Sequence, residues 1–112
     1  MPRPHNQHRE EVLEMLSIFK NINKKYDYLR KHASMSSFRS DTRYDAYRKD
    51  LMKINLGLKA CNPISSYFIT RTFTSEGTIN NEWWKGFYPK STFYRLRYIA
   101  IVEFLAGYHS ED

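Results

Sequence analysis

The sequence is poor in the residues on which several classes of protein depend. Its 112 residues include a single cysteine, Cys61, which excludes an intrachain disulfide and a cysteine-based zinc site. Four glycines and four prolines are too few for a collagen-like or loop-dominated chain. No apolar run approaches the roughly 18 residues of a transmembrane helix, and the polar start of the chain lacks a signal-peptide core. We therefore expect a cytoplasmic protein with no membrane partner.

Acidic residues are scarce as well, whereas basic and aromatic residues are abundant. Lys and Arg number 18 against 12 Asp and Glu, which gives a formal charge of +6. The segment from Lys20 to Lys59 accounts for all of this excess, since the rest of the chain has slightly more acidic than basic residues. A small basic domain of this kind favours a polyanionic partner, usually a nucleic acid. Aromatic residues make up 16% of the chain, enough for one packed core, so we expect a single domain over 1–112.

Apolar residues recur at spacings of three and four along most of the chain, which indicates amphipathic helices. Asn62-Pro63 is a typical helix start, and Gly86 and Gly107 are candidate helix ends. The β-branched segment 69–74 makes a short strand a competing interpretation there. Serines at 34, 36, 37 and 40 predict a loop. The predicted helices span about 9–33, 42–61, 63–72, 79–86 and 89–107.

The order of these helices predicts an all-α protein. A helical hairpin over 9–61 precedes a helix-turn-helix region over 62–108, with flexible ends at 1–8 and 109–112. In a helix-turn-helix, the second helix enters the major groove and its first residues contact the base edges. Polar, basic and aromatic side chains occupy the corresponding positions here. The candidate DNA-binding residues are Lys85, Lys90, Ser91, Thr92, Tyr94, Arg95 and Arg97. For Arg97 the helical spacing also permits the opposite direction, towards the first helix.

The run from Trp84 to Ala100 resembles the C-terminal signature of phage late-transcription regulators of the RinA and ArpU type. That pattern has an apolar-Gly-aromatic turn, a Ser-Thr-aromatic-Tyr-Arg-Leu segment, an Ala and a closing Phe. Tyr98-Ile99 departs from it where a second basic residue is usual. The resemblance implies a sigma-factor region-4-like helix-turn-helix, binding to a phage or prophage promoter, and contact with RNA polymerase. The matching residues are Gly86, Ser91, Thr92, Phe93, Tyr94, Arg95, Leu96, Ala100 and Phe104.

Two other classes of function stay open. A small phage-encoded interaction module or inhibitor would dock on a host protein through basic and aromatic surfaces. Trp83 and Trp84 are its candidate anchors, because adjacent residues on a helix point in different directions. RNA binding is the third interpretation, although no recognised RNA-binding module is present. A homodimer would suit the DNA interpretation, since small DNA-binding proteins commonly bind paired half-sites.

No constellation of residues predicts an enzyme, a cofactor or a metal site. His5 and His8 supply only two ligands, and they lie in a segment expected to be disordered. His109 near a helix end is typical of a dipole partner. Cys61 falls on an apolar helix face, which favours a structural thiol over a redox sensor.

The first two helices carry basic outer faces that are candidates for contact with DNA phosphates. Helix charges of this kind are more often simply solvated. The basic residues concerned are Lys24, Lys25, Arg30, Lys31, Arg43, Arg48, Lys49 and Lys53.

Overall fold

The described residues form helices joined by short turns. The computed structural model describes residues 8–31, 42–73 and 83–111, and these contain no strand. The described helices are α1 (Arg9–Lys31), α2 (Thr42–Ala60), α3 (Pro63–Phe73) and α4 (Lys90–Tyr108). The expected all-α class is therefore confirmed. The competing strand over 69–74 is wrong as far as Phe73, because those residues complete α3.

The ends of the helices follow the predicted caps in part. The Asn62 side chain accepts a hydrogen bond from the Ser65 backbone N–H at 2.8 Å, so Asn62 caps α3 as expected. Pro89 is extended, with φ −62° and ψ 153°, and precedes α4 rather than opening it. Gly107 was expected to end the last helix, but it is buried inside α4. The predicted serine-rich loop lies outside the described residues.

The predicted short helix over 79–86 is wrong for residues 83–86, the part of it that the structure describes. Residues 83–87 form turns, in which the backbone N–H groups of Phe87 and Tyr88 both donate to the Trp84 carbonyl, at 2.9 and 3.1 Å. Residues 79–82 lie outside the described part of the chain. Gly86 has φ +95°, a backbone conformation that residues other than glycine rarely adopt. Glycine at this position therefore permits the turn.

The core collects along one side of α4. Phe93, Ala100, Ile101 and Phe104 are completely buried there. From α1, the ring of Phe19 lies 5.7 Å from that of Phe104. Phe19, Ile22 and Leu29 recur at helical spacing in α1 and are buried. Tyr26 follows the same spacing, four residues after Ile22, but is half exposed.

The closest helix pair is α2 with α4, not α2 with α1. A Cβ atom added to Gly57 would lie 2.6 Å from the Phe104 ring, and one added to Gly107 would lie 2.6 Å from the Ala60 Cβ. Real Cβ atoms essentially never approach other heavy atoms so closely. The two helices therefore reach this separation only because both positions lack a side chain. Helix α1 packs on α2 through the Lys25–Asp50 ion pair and a Tyr26–Tyr47 ring contact.

Candidate nucleic-acid interface

The start of α3 is tied to the middle of α4 by polar contacts. The backbone N–H of Asn62 donates to one carboxylate oxygen of Glu103 at 3.0 Å, and its side-chain amide donates to the other at 3.3 Å. The capping Asn62 thus serves both helices. These bonds link the start of α3 to α4, in addition to the apolar packing between the two helices.

An aromatic cluster supports the first turns of α4. We define it as Phe68, Trp83, Trp84, Tyr88 and Phe93. The Phe93 ring stacks on Trp84 with centroids 4.8 Å apart, and meets Trp83 edge-on at 5.8 Å. Phe68 lies 5.0 Å from Trp83 and 5.7 Å from Phe93. Rings in such stacked and edge-to-face arrangements stabilise one another beyond their burial alone. The cluster therefore anchors the residues that precede α4 to its first turn.

Both tryptophans are buried, which corrects the expectation that one of them is an exposed anchor. Each is 9% exposed. Trp83 donates its indole N–H to the Thr72 hydroxyl at 3.1 Å. The indole N–H of Trp84 is also buried and has no hydrogen-bond partner in the structure. Because the chain turns at Gly86 instead of continuing as a helix, both side chains reach the interior. Neither is available to a docking partner in this conformation.

The outer side of the first half of α4 exposes polar and basic side chains. Lys90, Ser91 and Arg95 are exposed, and Thr92 and Tyr94 are partly exposed. No side chain caps the helix, and the first intrahelical bond is donated by Phe93 to the Pro89 carbonyl at 2.9 Å. The backbone N–H groups of residues 90–92 therefore have no partner within the helix. Such an end attracts anions, including phosphate groups.

Arg97 departs from the other candidate DNA-binding residues because it is buried. It is 6% exposed, and its guanidinium lies 4.7 Å from the centre of the Tyr94 ring. Burial lowers the pKa of the guanidinium, and the charge interaction with Tyr94 acts in the opposite direction. Arg97 lies four residues after Phe93 and three before Ala100, so helical spacing places it on the core face. Its position does not suit an exposed phosphate contact.

Lys85 and Phe87 extend the exposed surface into the turn before α4. Lys85 was a predicted site residue and is exposed. Phe87 was not singled out from the sequence, yet it is 75% exposed, the highest fraction among the large hydrophobic residues that the structure describes. Periodicity says nothing about a residue in a turn, so helical spacing did not indicate this exposure.

The start of α1 lies beside this surface. The ring of His8 stacks on that of Tyr98, with centroids 3.6 Å apart and an interplanar angle of 19°. His8 was expected in a flexible end, and this contact places it against α4 instead. His5 lies outside the described residues. His8 therefore contacts α4 at Tyr98, one helical turn after Tyr94.

The basic residues of α1 and α2 divide into two groups. Lys25 forms an ion pair with Asp50, and the Lys53 ammonium lies 4.6 Å from the centre of the Tyr108 ring. The Arg43 side chain lies outside the described part. The others are exposed on the two helices. This second group comprises Lys24, Arg30, Lys31, Arg48 and Lys49, and within it a guanidinium nitrogen of Arg30 lies 3.7 Å from a carboxylate oxygen of Asp27.

A polar cavity of about 330 Å³ separates α1 and α2 near the end of α4. His109, which follows α4, places its Nε2 2.7 Å from a Glu14 carboxylate oxygen across this cavity. The backbone N–H of His109 donates to the Leu105 carbonyl, so the residue also closes the helix end where it was expected. The cavity contains the Lys25–Asp50 pair as well. Its charged groups thus serve as links between helices.

Cys61 lies half-buried at the end of α2. Its thiol contacts the carbonyls of Gly57 at 3.4 Å and Ala100 at 3.8 Å. Burial, and secondarily the charge of Glu103, raises the pKa of the thiol to about 11. A reactive sensor cysteine requires the opposite shift, because the thiolate is the nucleophile. These contacts favour the structural interpretation of Cys61.

The chain matches no known family model, and no curated protein or solved structure matches it. None of the helices in the described residues is both long and apolar enough to cross a membrane. The described residues also contain no group of three or more His, Cys, Asp or Glu side chains suited to a metal ion.

Proposed function

We propose that this protein binds double-stranded DNA in a sequence-dependent manner, as a small transcription regulator of the phage type. The observation that carries the proposal is the exposure of Lys90, Ser91 and Arg95 on α4, whose first turn packs on the aromatic cluster through Phe93. In this proposal α4 is the recognition helix, and its first two turns enter the major groove. A helix-turn-helix over 62–108 and the preceding hairpin of α1 and α2 are parts of this proposal. Because residues 83–87 form turns instead of the predicted helix over 79–86, α3 takes the place of the first helix of the motif.

The chemistry of the surface suits this task. An arginine donates two parallel hydrogen bonds to the O6 and N7 atoms of guanine, the commonest specific contact in the major groove. Ser91, Thr92 and the unpaired backbone N–H groups beside them suit a phosphate at the groove edge. Lys85 and Lys90 add exposed positive charge just before α4 and at its first residue. The overall charge of +6 favours association with a polyanion.

The aromatic cluster explains how the surface keeps its shape. Phe93 faces inward from the first turn of α4, and it is wholly buried among Phe68, Trp83 and Trp84. Residues on the opposite side of the same turn must therefore face outward. A recognition helix needs this kind of rigid support, because a base contact tolerates little displacement.

We further propose that the protein acts as a homodimer on paired half-sites and that it contacts RNA polymerase, as the resemblance to the RinA and ArpU type implies. The rival interpretation is a module that docks on a host protein. Burial of Trp83 and Trp84 removes the anchors expected for that module. The salt dependence of binding separates the two, since release of counterions makes DNA binding fall steeply with salt.

The test begins with selection and sequencing of random duplex fragments bound by the purified protein, at two salt concentrations. We expect an enriched motif and steeply salt-dependent affinity. Arg95→Ala should weaken binding to the motif by about 1–3 kcal/mol and relax specificity at one position. An equal loss on all sequences would make Arg95 a phosphate contact.

The matched control is the double variant Arg48→Ala with Lys49→Ala, which removes exposed charge from α2 instead. We expect it to lower affinity without changing the enriched motif, because charge away from the bases supplies only non-specific attraction. Absence of duplex binding at low salt would overturn the proposal.

A further inference from the structure

Phe87 is exposed although the residues around it pack into the core. Its side chain is 75% exposed, whereas its neighbours in the turn, Trp84 and Tyr88, belong to the aromatic cluster. Single exposed apolar residues are common on protein surfaces and need no function by themselves. Phe87 differs because of how it is held and what surrounds it.

The turn fixes the outward direction of Phe87. Its backbone N–H donates to the Trp84 carbonyl at 2.9 Å, and Gly86 immediately before it adopts φ +95°. On the other side, the Tyr88 ring packs 5.5 Å from Phe68. With the rings on both sides occupied in the core, Phe87 has no place in the interior without displacing one of them. Binding through Phe87 therefore needs little reordering of the backbone that carries the ring.

The surroundings of Phe87 are cationic. Lys85 lies two residues before it and Lys90 three residues after it, and both side chains are exposed. Pro89 then leads directly into the first turn of α4, so the ring lies within one turn of the residues proposed to enter the major groove. An apolar ring close in the chain to two exposed lysines and to the start of α4 suits a ligand that combines phosphate with an apolar patch.

The major groove contains one such apolar patch, the C5-methyl group of thymine, which phenylalanine side chains contact in DNA recognition. We propose that Phe87 contacts the methyl group of a thymine in the bound site and is a specificity-determining residue for A·T pairs there. This inference rests on the proposed function, and it adds a recognised base that the helical pattern of α4 does not supply.

The experiment removes the methyl group from the DNA and the ring from the protein. The selected duplex is synthesised with thymine, or with uracil at every thymine position. Affinities are measured for the unaltered chain, for Phe87→Ala and for Lys85→Ala. The unaltered chain should bind the uracil duplex about fourfold more weakly for each methyl group contacted, the equivalent of about 0.8 kcal/mol.

Phe87→Ala should lose affinity for the thymine duplex and bind the uracil duplex no more weakly than the thymine duplex. Lys85→Ala should weaken binding to both duplexes by the same factor, because a charge contact does not sense the methyl group. Equal affinity of the unaltered chain for both duplexes would overturn the inference while leaving DNA binding intact. So would an unchanged preference for thymine in Phe87→Ala. A chain that binds no duplex at all would overturn the proposed function and this inference together.

Discussion

The two ends of α4 are held in opposite ways. At its start, Phe93 is enclosed by the large rings of Phe68, Trp83 and Trp84, which fill the space beneath the helix. Towards its end, Gly57 and Gly107 leave no space at all, and α4 lies directly on the backbone of α2. The first arrangement supports an exposed surface from below. The second fixes the helix in place by close approach.

The two ends of α4 are sensitive to opposite changes in side-chain volume. Removing atoms from the aromatic cluster leaves a cavity, whereas adding atoms at the α2–α4 contact forces the helices apart. Both changes destabilise the fold, but only the first acts directly beneath the proposed recognition surface. Substitutions at each end therefore test whether the aromatic cluster supports the recognition surface independently of the close contact between α2 and α4.

The largest expected effect follows from removing the central ring of the cluster. Phe93→Ala should lower the free energy of unfolding by about 3–5 kcal/mol, since the residue is fully buried. Phe87→Ala is the matched control, because it removes the same side chain from an exposed position, and it should change stability by less than about 0.5 kcal/mol. Urea unfolding followed by circular dichroism gives both values. Similar losses for the two variants would contradict the described packing.

The next effect is expected at the other end of the helix. A Cβ at position 107 would lie 2.9 Å from the Leu56 carbonyl carbon, which is backbone and cannot rotate away. Gly107→Ala should therefore cost about 1–3 kcal/mol, although alanine is intrinsically the better helix residue. Thermal and urea unfolding would measure the change. An unchanged or raised stability would show that the two helices are farther apart than described.

Gly86 supplies the control, because it needs glycine for a different reason. A Cβ there would meet nothing within 4 Å, but φ is +95°. We expect Gly86→Ala to cost about 1–2 kcal/mol through backbone strain. Gly86→Asn should cost less than Gly86→Ala, since asparagine tolerates positive φ better, while Gly107→Asn should cost more than Gly107→Ala. Asparagine is therefore the milder substitution at Gly86, where glycine is needed for its backbone conformation. Alanine is the milder one at Gly107, where glycine is needed for its small size.

The two glycines also differ in how much of their structural role can be predicted from the sequence. Gly107 was expected to end its helix, because glycine is common just beyond helix ends. Its actual role depends on the distance to Leu56, a residue 51 positions away in the chain. By contrast, the helices α1 to α4 follow from local spacing and from the Asn62-Pro63 cap, which need no knowledge of distant contacts.

The candidate site shows the same division. Exposure of Ser91 and Arg95 follows from their helical positions opposite Phe93, and the structure places them outside. Lys90 lies three residues before Phe93, on the same side of the helix, and is exposed as the first residue of α4. The burial of Arg97 was open to the same reasoning, because its spacing from Phe93 matches the core face. The burial of both tryptophans and the exposure of Phe87 depend on a turn set by tertiary packing. No local period predicts those positions.

The smallest expected effect distinguishes the two tryptophans of the aromatic cluster. Trp83 and Trp84 are equally buried, but only the indole N–H of Trp83 has a partner, the Thr72 hydroxyl. Trp83→Phe and Trp84→Phe remove the same atoms, so the packing losses should be similar. Trp83→Phe also loses a hydrogen bond, whereas Trp84→Phe removes a buried donor that is unsatisfied. We therefore expect Trp83→Phe to be the less stable variant by about 1 kcal/mol in urea unfolding. Equal stabilities would mean that Trp84 has a hydrogen-bond partner in solution, and that the two halves of the cluster are held alike.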